Sequence, residues 1–113
     1  MDENDYPEFF ATLANFSRLS IVQLLRHGVA TVTQISETLG YEQSRVSHSL
    51  ARLQRAGIVG CKWEQKRKTF YLVEGVSPLL GAIETYLQQR QQARNARGLS
   101  PAWTRSWATA SSE

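Results

Sequence analysis

The sequence predicts a mainly α-helical fold that carries a single β-hairpin, in one domain of ordinary size for its 113 residues. Two observations support this fold class. Apolar residues recur at helical spacing through most of the chain. Between residues 58 and 73 that spacing gives way to runs of β-branched and aromatic residues. Start and stop signals divide the rest of the chain into separate helices.

The first two helices are predicted from their caps. Asp5 is the expected cap of the first helix, with Glu8 at the reciprocal position of a capping box. Asn15 is the expected cap of the second helix. Gly28 follows its last turn, where glycine commonly ends a helix.

A tight turn is predicted to join the third and fourth helices. Thr31 and Gln34 match a second capping box, which starts a short helix. In the fourth helix, Leu50 and Leu53 lie within about 40° of Val46 on a helical wheel, which defines an apolar side. The opposite side has no acid between residues 44 and 55, and consists of Ser44, His48, Arg52 and Arg55, flanked by Arg45 and Ser47.

A β-hairpin and a last helix complete the chain. The segments "IVGCKW" (58–63) and "TFYLV" (69–73) are typical of strands, and "EQKRK" (64–68) between them is short and basic. Ser77 and Pro78 predict the start of the last helix, with serine as the cap and proline in the first turn. A basic helix that follows a tight helix–helix turn, with a charged hairpin directly after it, is a helix-turn-helix with a wing.

Composition and charge narrow the class of protein. The net charge is +3, and residues 42–68 contain seven basic and two acidic residues, so this region is either a solvated basic face or a nucleic-acid surface. No apolar run approaches the ~20 residues of a membrane span. The acidic N-terminus is unlike a signal peptide, so we expect a cytoplasmic protein. A single cysteine, Cys61, can form neither an internal disulfide nor a multi-cysteine zinc site.

The order of these motifs resembles the ArsR/SmtB family of winged helix-turn-helix transcription regulators. The similar segments are "FFATLANFSRLSIVQLLRHG" (9–28), "TVTQISETLGYEQSRVSHSLARLQRAGIV" (31–59) and "RKTFYLV" (67–73), and the likeness covers roughly residues 6 to 90. The resemblance implies a homodimer that binds double-stranded DNA and forms its interface from the first and last helices. It favours a repressor.

The sequence departs from the family pattern at several positions. Phe16 stands where the family often has proline, and Glu42 stands where a serine or threonine often begins the recognition helix. Family members that sense metals often carry Cys-x-Cys before the turn, where this chain has "ATVTQI" (30–35). Others carry Asp and His ligands on the last helix, where this chain has only Glu84 and no histidine. We therefore expect no cofactor and no metal at the usual sites, since zinc needs about four suitable ligands.

The predicted DNA contacts follow from position on the fourth helix and the wing. Side chains near the helix N-terminus would reach base edges in the major groove. These are Gln43, Ser44, Arg45, Ser47 and His48. The later basic residues and the wing would contact the phosphate backbone or the minor groove. These are Arg52, Arg55, Lys62, Lys66, Arg67 and Lys68.

Three further sets of residues have two interpretations each. An apolar set on the first and last helices would form the dimer interface, or would simply complete a monomer core. It comprises Phe9, Phe10, Leu79, Leu80, Ile83, Tyr86 and Leu87. Cys61 is either a redox sensor activated by Lys62 or a small apolar filler. Trp103 and Trp107 either anchor the C-terminal tail or have a functional role, in which they cap the dimer or line an effector pocket.

These observations predict two regions and one function. Residues 1–98 would form the winged helix-turn-helix and dimerisation domain, and residues 99–113 a C-terminal extension with a short helix and a frayed end. We expect helix 43–56 to bind in the major groove of a pseudo-palindromic operator and wing 62–68 to contact the DNA backbone or minor groove. No catalytic constellation is present in the sequence, so we do not expect an enzyme. The alternative is a winged-helix module that binds other proteins in a larger assembly. Whether a small-molecule effector exists is left open.

Overall fold

The computed structural model describes residues 2–96 of the protein, and the predicted extension with Trp103 and Trp107 lies outside them. Helices and strands follow in the order α1 (Asp5–Leu13), α2 (Phe16–Leu25), α3 (Val32–Leu39), α4 (Gln43–Arg55), β1 (Val59–Glu64), β2 (Arg67–Leu72) and α5 (Val76–Ala96). The chain divides into two compact units. One extends to Ser77, and the other begins at Pro78 and contains the rest of α5. The mainly α-helical fold with one β-hairpin is as predicted.

Side-chain caps start two of the helices as the sequence predicts. The side chain of Asn15 accepts a hydrogen bond from the backbone N–H of Arg18 at 3.0 Å. Thr31 and Gln34 form the reciprocal capping box of α3. The predicted capping box of α1 is wrong: Asp5 is the first helical residue, and its carboxylate accepts from the backbone N–H of Asp2 at 2.9 Å.

The core of the first unit forms where the apolar sides of the helices meet. Its most deeply buried aliphatic residues come from α2, α3, α4 and the segment before β1, and each is at most 1% exposed: Ile21, Val22, Ile35, Val46, Leu50, Leu53 and Ile58. The turn between α3 and α4 begins at Gly40, whose φ of 72° is a left-handed conformation that suits glycine. This turn directs α4 across the core with one side buried and the other exposed.

The strands of the hairpin extend closer to its tip than predicted, so the turn is shorter. Antiparallel pairing runs from Val59 with Leu72 to Glu64 with Arg67, which leaves only Gln65 and Lys66 in the turn. Both turn residues have positive φ, at 50° and 65°, as in a type I′ hairpin turn. Most of the segment predicted as a loop therefore belongs to the strands.

A backbone bridge holds the base of the hairpin to the helical part of this unit. Ala30, between α2 and α3, exchanges two hydrogen bonds with Phe70 of β2, at 2.8 and 3.1 Å. Phe70 is buried, as is its neighbour Thr69. The position of the hairpin beside α4 is thus fixed by both backbone and side-chain contacts. Within residues 2–96, no helix has the length and apolar character needed to cross a membrane.

Candidate nucleic-acid interface

The side of α4 that faces away from the core carries the side chains predicted to read bases. Val46, Ser49, Leu50 and Leu53 are buried against the core. All five predicted base-reading residues are exposed: Gln43, Ser44, Arg45, Ser47 and His48. Arg55 is exposed, and Arg52 is partly so. The structure therefore brings the predicted set together on one accessible surface.

Ala51 is exposed on the same side of α4, although it was not among the predicted contact residues. Its methyl group leaves room for a bound molecule to approach the helix backbone. A methyl group can also make apolar contact with the methyl of thymine in the major groove. The helical wheel alone contained this signal, because Ala51 falls between Ser44 and Ser47 on it.

Arg45 is held at the edge of this surface by two residues outside α4. Its Nε donates a hydrogen bond to Ser17 Oγ at 2.8 Å, and Nη2 donates to the same oxygen. The guanidinium carbon lies 3.8 Å from the centre of the Tyr41 ring, a cation–π distance. The side chain is thus oriented before any ligand binds, with Ser17 as a competitor for its donors.

The acidic end of the chain reaches the basic side of α4 at one point. Glu8 of α1 lies 3.6 Å from Arg52 in an ion pair between partly exposed side chains. Such a pair contributes little to stability, at most about 1 kcal/mol. Its main consequence is electrostatic, because the carboxylate reduces the positive potential around Arg52.

An open groove of about 410 Å³ lies between the start of α2 and the N-terminal half of α4. The lining is polar and basic, and consists of Asn15, Ser17, Arg18, Ser44, Arg45, His48 and Ser49. Arg18 is committed to the fold, because its Nε donates to the backbone carbonyl of Thr12 at 2.6 Å near the end of α1. The groove extends the exposed surface of α4 toward α2, and its lining supplies positive charge and hydroxyl groups.

The wing presents its cations beside α4. Lys62, Lys66, Arg67 and Lys68 are all exposed. Lys62 pairs with Glu64 at 2.9 Å, and the hydrogen bond and charge of that carboxylate raise the pKa of Lys62. Lys62 is therefore cationic at neutral pH, and Glu64 is already paired with it.

Two other residues of β1 have distinct surroundings. Trp63, which was not among the predicted site residues, is 72% exposed. Cys61 is partly buried, and Gln54 of α4 donates a hydrogen bond to its sulfur at 3.2 Å. This contact ties the base of the wing to the end of α4. Within the described part of the chain, no three His, Cys, Asp or Glu side chains are grouped so that they could hold a metal ion.

The predicted interface helices leave apolar side chains uncovered. On α1, Phe10 is 49% exposed, and its ring lies 5.2 Å from that of the partly buried Phe9. On α5, Leu79, Tyr86 and Leu87 are 42%, 60% and 41% exposed. Ile83 is partly exposed and Leu80 is buried within the single chain. Each helix thus has an exposed apolar surface of its own.

Known proteins resemble this chain over the segment that contains α2, α3 and α4. Residues 16–60 match the family model described as bacterial regulatory protein, arsR family. Over 47 residues the chain is 49% identical to the HTH-type transcriptional regulator NmtR of Mycobacterium tuberculosis, a match that covers 42% of this chain and 39% of that regulator. The chain thus spans well under half the length of this curated relative.

Solved structures share the fold over a longer range. The homodimeric winged helix-turn-helix DNA-binding domain of Mb0332 from Mycobacterium bovis is 22% identical with a TM-score of 0.73, over 82% of this chain and 93% of that one. The transcriptional repressor BigR from Xylella fastidiosa is 26% identical with a TM-score of 0.66, over 78% of this chain and 88% of that one. These likenesses confirm the predicted winged helix-turn-helix fold.

Proposed function

We propose that this chain, whose residues 16–60 match the arsR family of bacterial regulatory proteins, is a dimeric DNA-binding transcription repressor of that family. In this proposal α4 enters the major groove of each half of a pseudo-palindromic operator, and the wing contacts the adjacent backbone or minor groove. The protein has no enzymatic role in this proposal and acts in the cytoplasm on double-stranded DNA.

The observation that carries the proposal is the exposed side of α4. From Gln43 to Arg55 the helix contains three arginines and no acid, whereas an ordinary solvent-exposed helix mixes both signs. The side chains nearest its N-terminus are those that pair with base edges, since arginine suits guanine and glutamine suits adenine. A basic helix fits the width of the major groove, and the basic hairpin beside it matches the negative charge of the DNA backbone.

Dimerisation is supported by the exposed apolar side chains of α1 and α5. We propose that Phe9, Phe10 and the α5 residues Leu79, Ile83, Tyr86 and Leu87 are covered by a second copy of the chain. Mb0332 is described as homodimeric, which supports the proposed dimer. BigR is named a repressor, which supports repression as the proposed activity.

The signal that releases the DNA is proposed not to be a metal at the usual sites of the family. The region around α3 offers no thiolate, and α5 offers one carboxylate, Glu84, and no imidazole. A ligand switches a regulator only if it distinguishes the two states by several kcal/mol, and a weak surface ion does not.

The decisive experiment selects sequences from random duplex DNA with the purified chain and measures binding of the winner at two stated salt concentrations. We expect the selected operator to bind at least about 10³-fold more tightly than scrambled DNA of the same length. The scrambled duplex is the matched control, because it carries the same phosphates.

A winged-helix module that binds other proteins is the competing function. It predicts no sequence enrichment, and equal, weak, salt-sensitive binding to selected and scrambled duplexes. That result would reject the repressor proposal.

A further inference from the structure

Trp63 is the most exposed large apolar side chain among residues 2–96, at 72%. It lies in β1 directly before the end of the strand and pairs with Lys68 across the hairpin. The exposed indole contributes nothing to the core, and covering it would remove a large apolar surface from water. Trp63 is therefore available for contact with a partner molecule.

The faces of the hairpin fix the side on which Trp63 lies. Side chains alternate along a strand, so Trp63 shares a face with Val59 and Cys61. Val59 is buried, and Cys61 accepts a hydrogen bond from Gln54 of α4. Trp63 is therefore on the α4 side of the wing, the side that the proposed DNA ligand approaches.

The charges around the indole define the chemistry of the partner. Residues 62–68 contain four cations and one acid, and that acid, Glu64, is paired with Lys62 at 2.9 Å. A protein-binding patch would surround an aromatic ring with further apolar side chains, as the centres of protein interfaces do. An indole among cations instead fits a polyanion that also exposes apolar surface. Duplex DNA has both, because its phosphates are charged and its deoxyribose rings line the groove.

We propose that Trp63 is a DNA-contact residue, which packs its ring against the deoxyribose wall of the minor groove while its basic neighbours meet the phosphates. This inference rests on the proposed function, since it assigns a contact within the same complex. Minor-groove proteins commonly combine basic side chains with apolar side chains that enter the groove. The contact adds affinity without neutralising a phosphate.

The test separates the apolar contact from the ionic ones by salt dependence. Trp63→Ala, Trp63→Phe and Lys66→Ala are compared with the wild type on the selected operator between 50 and 200 mM salt. We expect Trp63→Ala to lose about tenfold in affinity at every salt concentration, and Trp63→Phe to keep most of it. Lys66→Ala should instead lower the slope of log affinity against log salt by about one.

A spectroscopic measurement checks the same contact. With Trp103 and Trp107 replaced by phenylalanine, Trp63 is the remaining tryptophan of the sequence. Operator addition should then quench or shift its emission, and circular dichroism of each variant verifies that the fold is intact.

The outcomes distinguish this inference from the function on which it rests. If the wild type binds DNA specifically and Trp63→Ala binds equally well, the contact is refuted and the function stands. If Trp63→Ala leaves DNA binding intact but changes the mass of the particle in solution, the partner of the indole is a protein. A wild-type chain with no specific DNA binding overturns both.

Discussion

Replacing Lys66 with glycine should stabilise the hairpin and weaken the DNA complex at the same time. Lys66 has a φ of 65° in a two-residue turn, a region that residues with a Cβ adopt at a cost. Its ammonium group is exposed at the wing tip, where we propose a phosphate contact. The substitution therefore removes a backbone penalty and a charge together.

The magnitude follows from two opposing effects. The left-handed conformation costs a non-glycine residue roughly 1–2 kcal/mol, and glycine loses about 0.5–1 kcal/mol more chain entropy on folding. The midpoints of the two ranges leave a net gain in the free energy of unfolding of about 0.75 kcal/mol, which raises the melting temperature of a domain this small by roughly 3–6 °C. This gain is fully expressed only if the hairpin unfolds together with the core, as expected from the burial of Phe70 and its bridge to Ala30.

The assay pairs Lys66→Gly with Lys66→Ala, which removes the same charge but keeps the positive φ. Thermal unfolding should place the glycine variant above both the alanine variant and the wild type. Operator titrations should show equal losses for the two variants, each with a salt slope reduced by about one. A glycine variant no more stable than the alanine variant would refute the strain argument, and full DNA affinity in either variant would refute the phosphate contact.

Three other predictions concern the interface, base reading and the signal. Replacing Ile83 and Leu87 with glutamate should give a monomer in light scattering, because the interface would bury both charges; an unchanged dimer would exclude α5 from it. Arg45→Ala should cost about 1–3 kcal/mol on the operator and relax preference at one position of each half-site, whereas an equal loss on random DNA would contradict base reading. Micromolar zinc, cadmium or arsenite should leave the operator complex intact; release from the wild type but not from Cys61→Ser would show that this cysteine recruits ligands, for instance across the dimer.

Local signals in the sequence were sufficient for most of the fold. Asn15 and the Thr31–Gln34 pair act through hydrogen bonds that span three residues, so their caps could be predicted from spacing alone. The capping box predicted at Asp5 does not form, because its carboxylate accepts a hydrogen bond from Asp2 on the N-terminal side instead. The ends of the hairpin strands were missed for a different reason. Their exposed residues are charged, so no apolar alternation marks them as strand.

The sequence predicted which residues of α4 share the exposed side, but it did not predict the contacts that orient them. The helical period identifies which side chains share the outer side of α4, and the structure places them there. The partner of Arg45 is Ser17, 28 residues away, and the partner of Arg52 is in α1. Contacts of this kind depend on how the helices pack, and they leave no periodic trace in the sequence.

The register of the hairpin also determines how such a wing can be altered without loss of the fold. Inserting one residue before Phe70 would reverse the face of every side chain beyond it and expel the phenyl ring from the core, because strand side chains alternate with a period of two. Residues 62–68 are all exposed, so exchanging them leaves the buried contacts of Thr69 and Phe70 in place. The proposed DNA contacts of the wing can therefore be varied by substitution at constant length, or by lengthening the wing by an even number of residues, whereas a single insertion or deletion would disrupt the core.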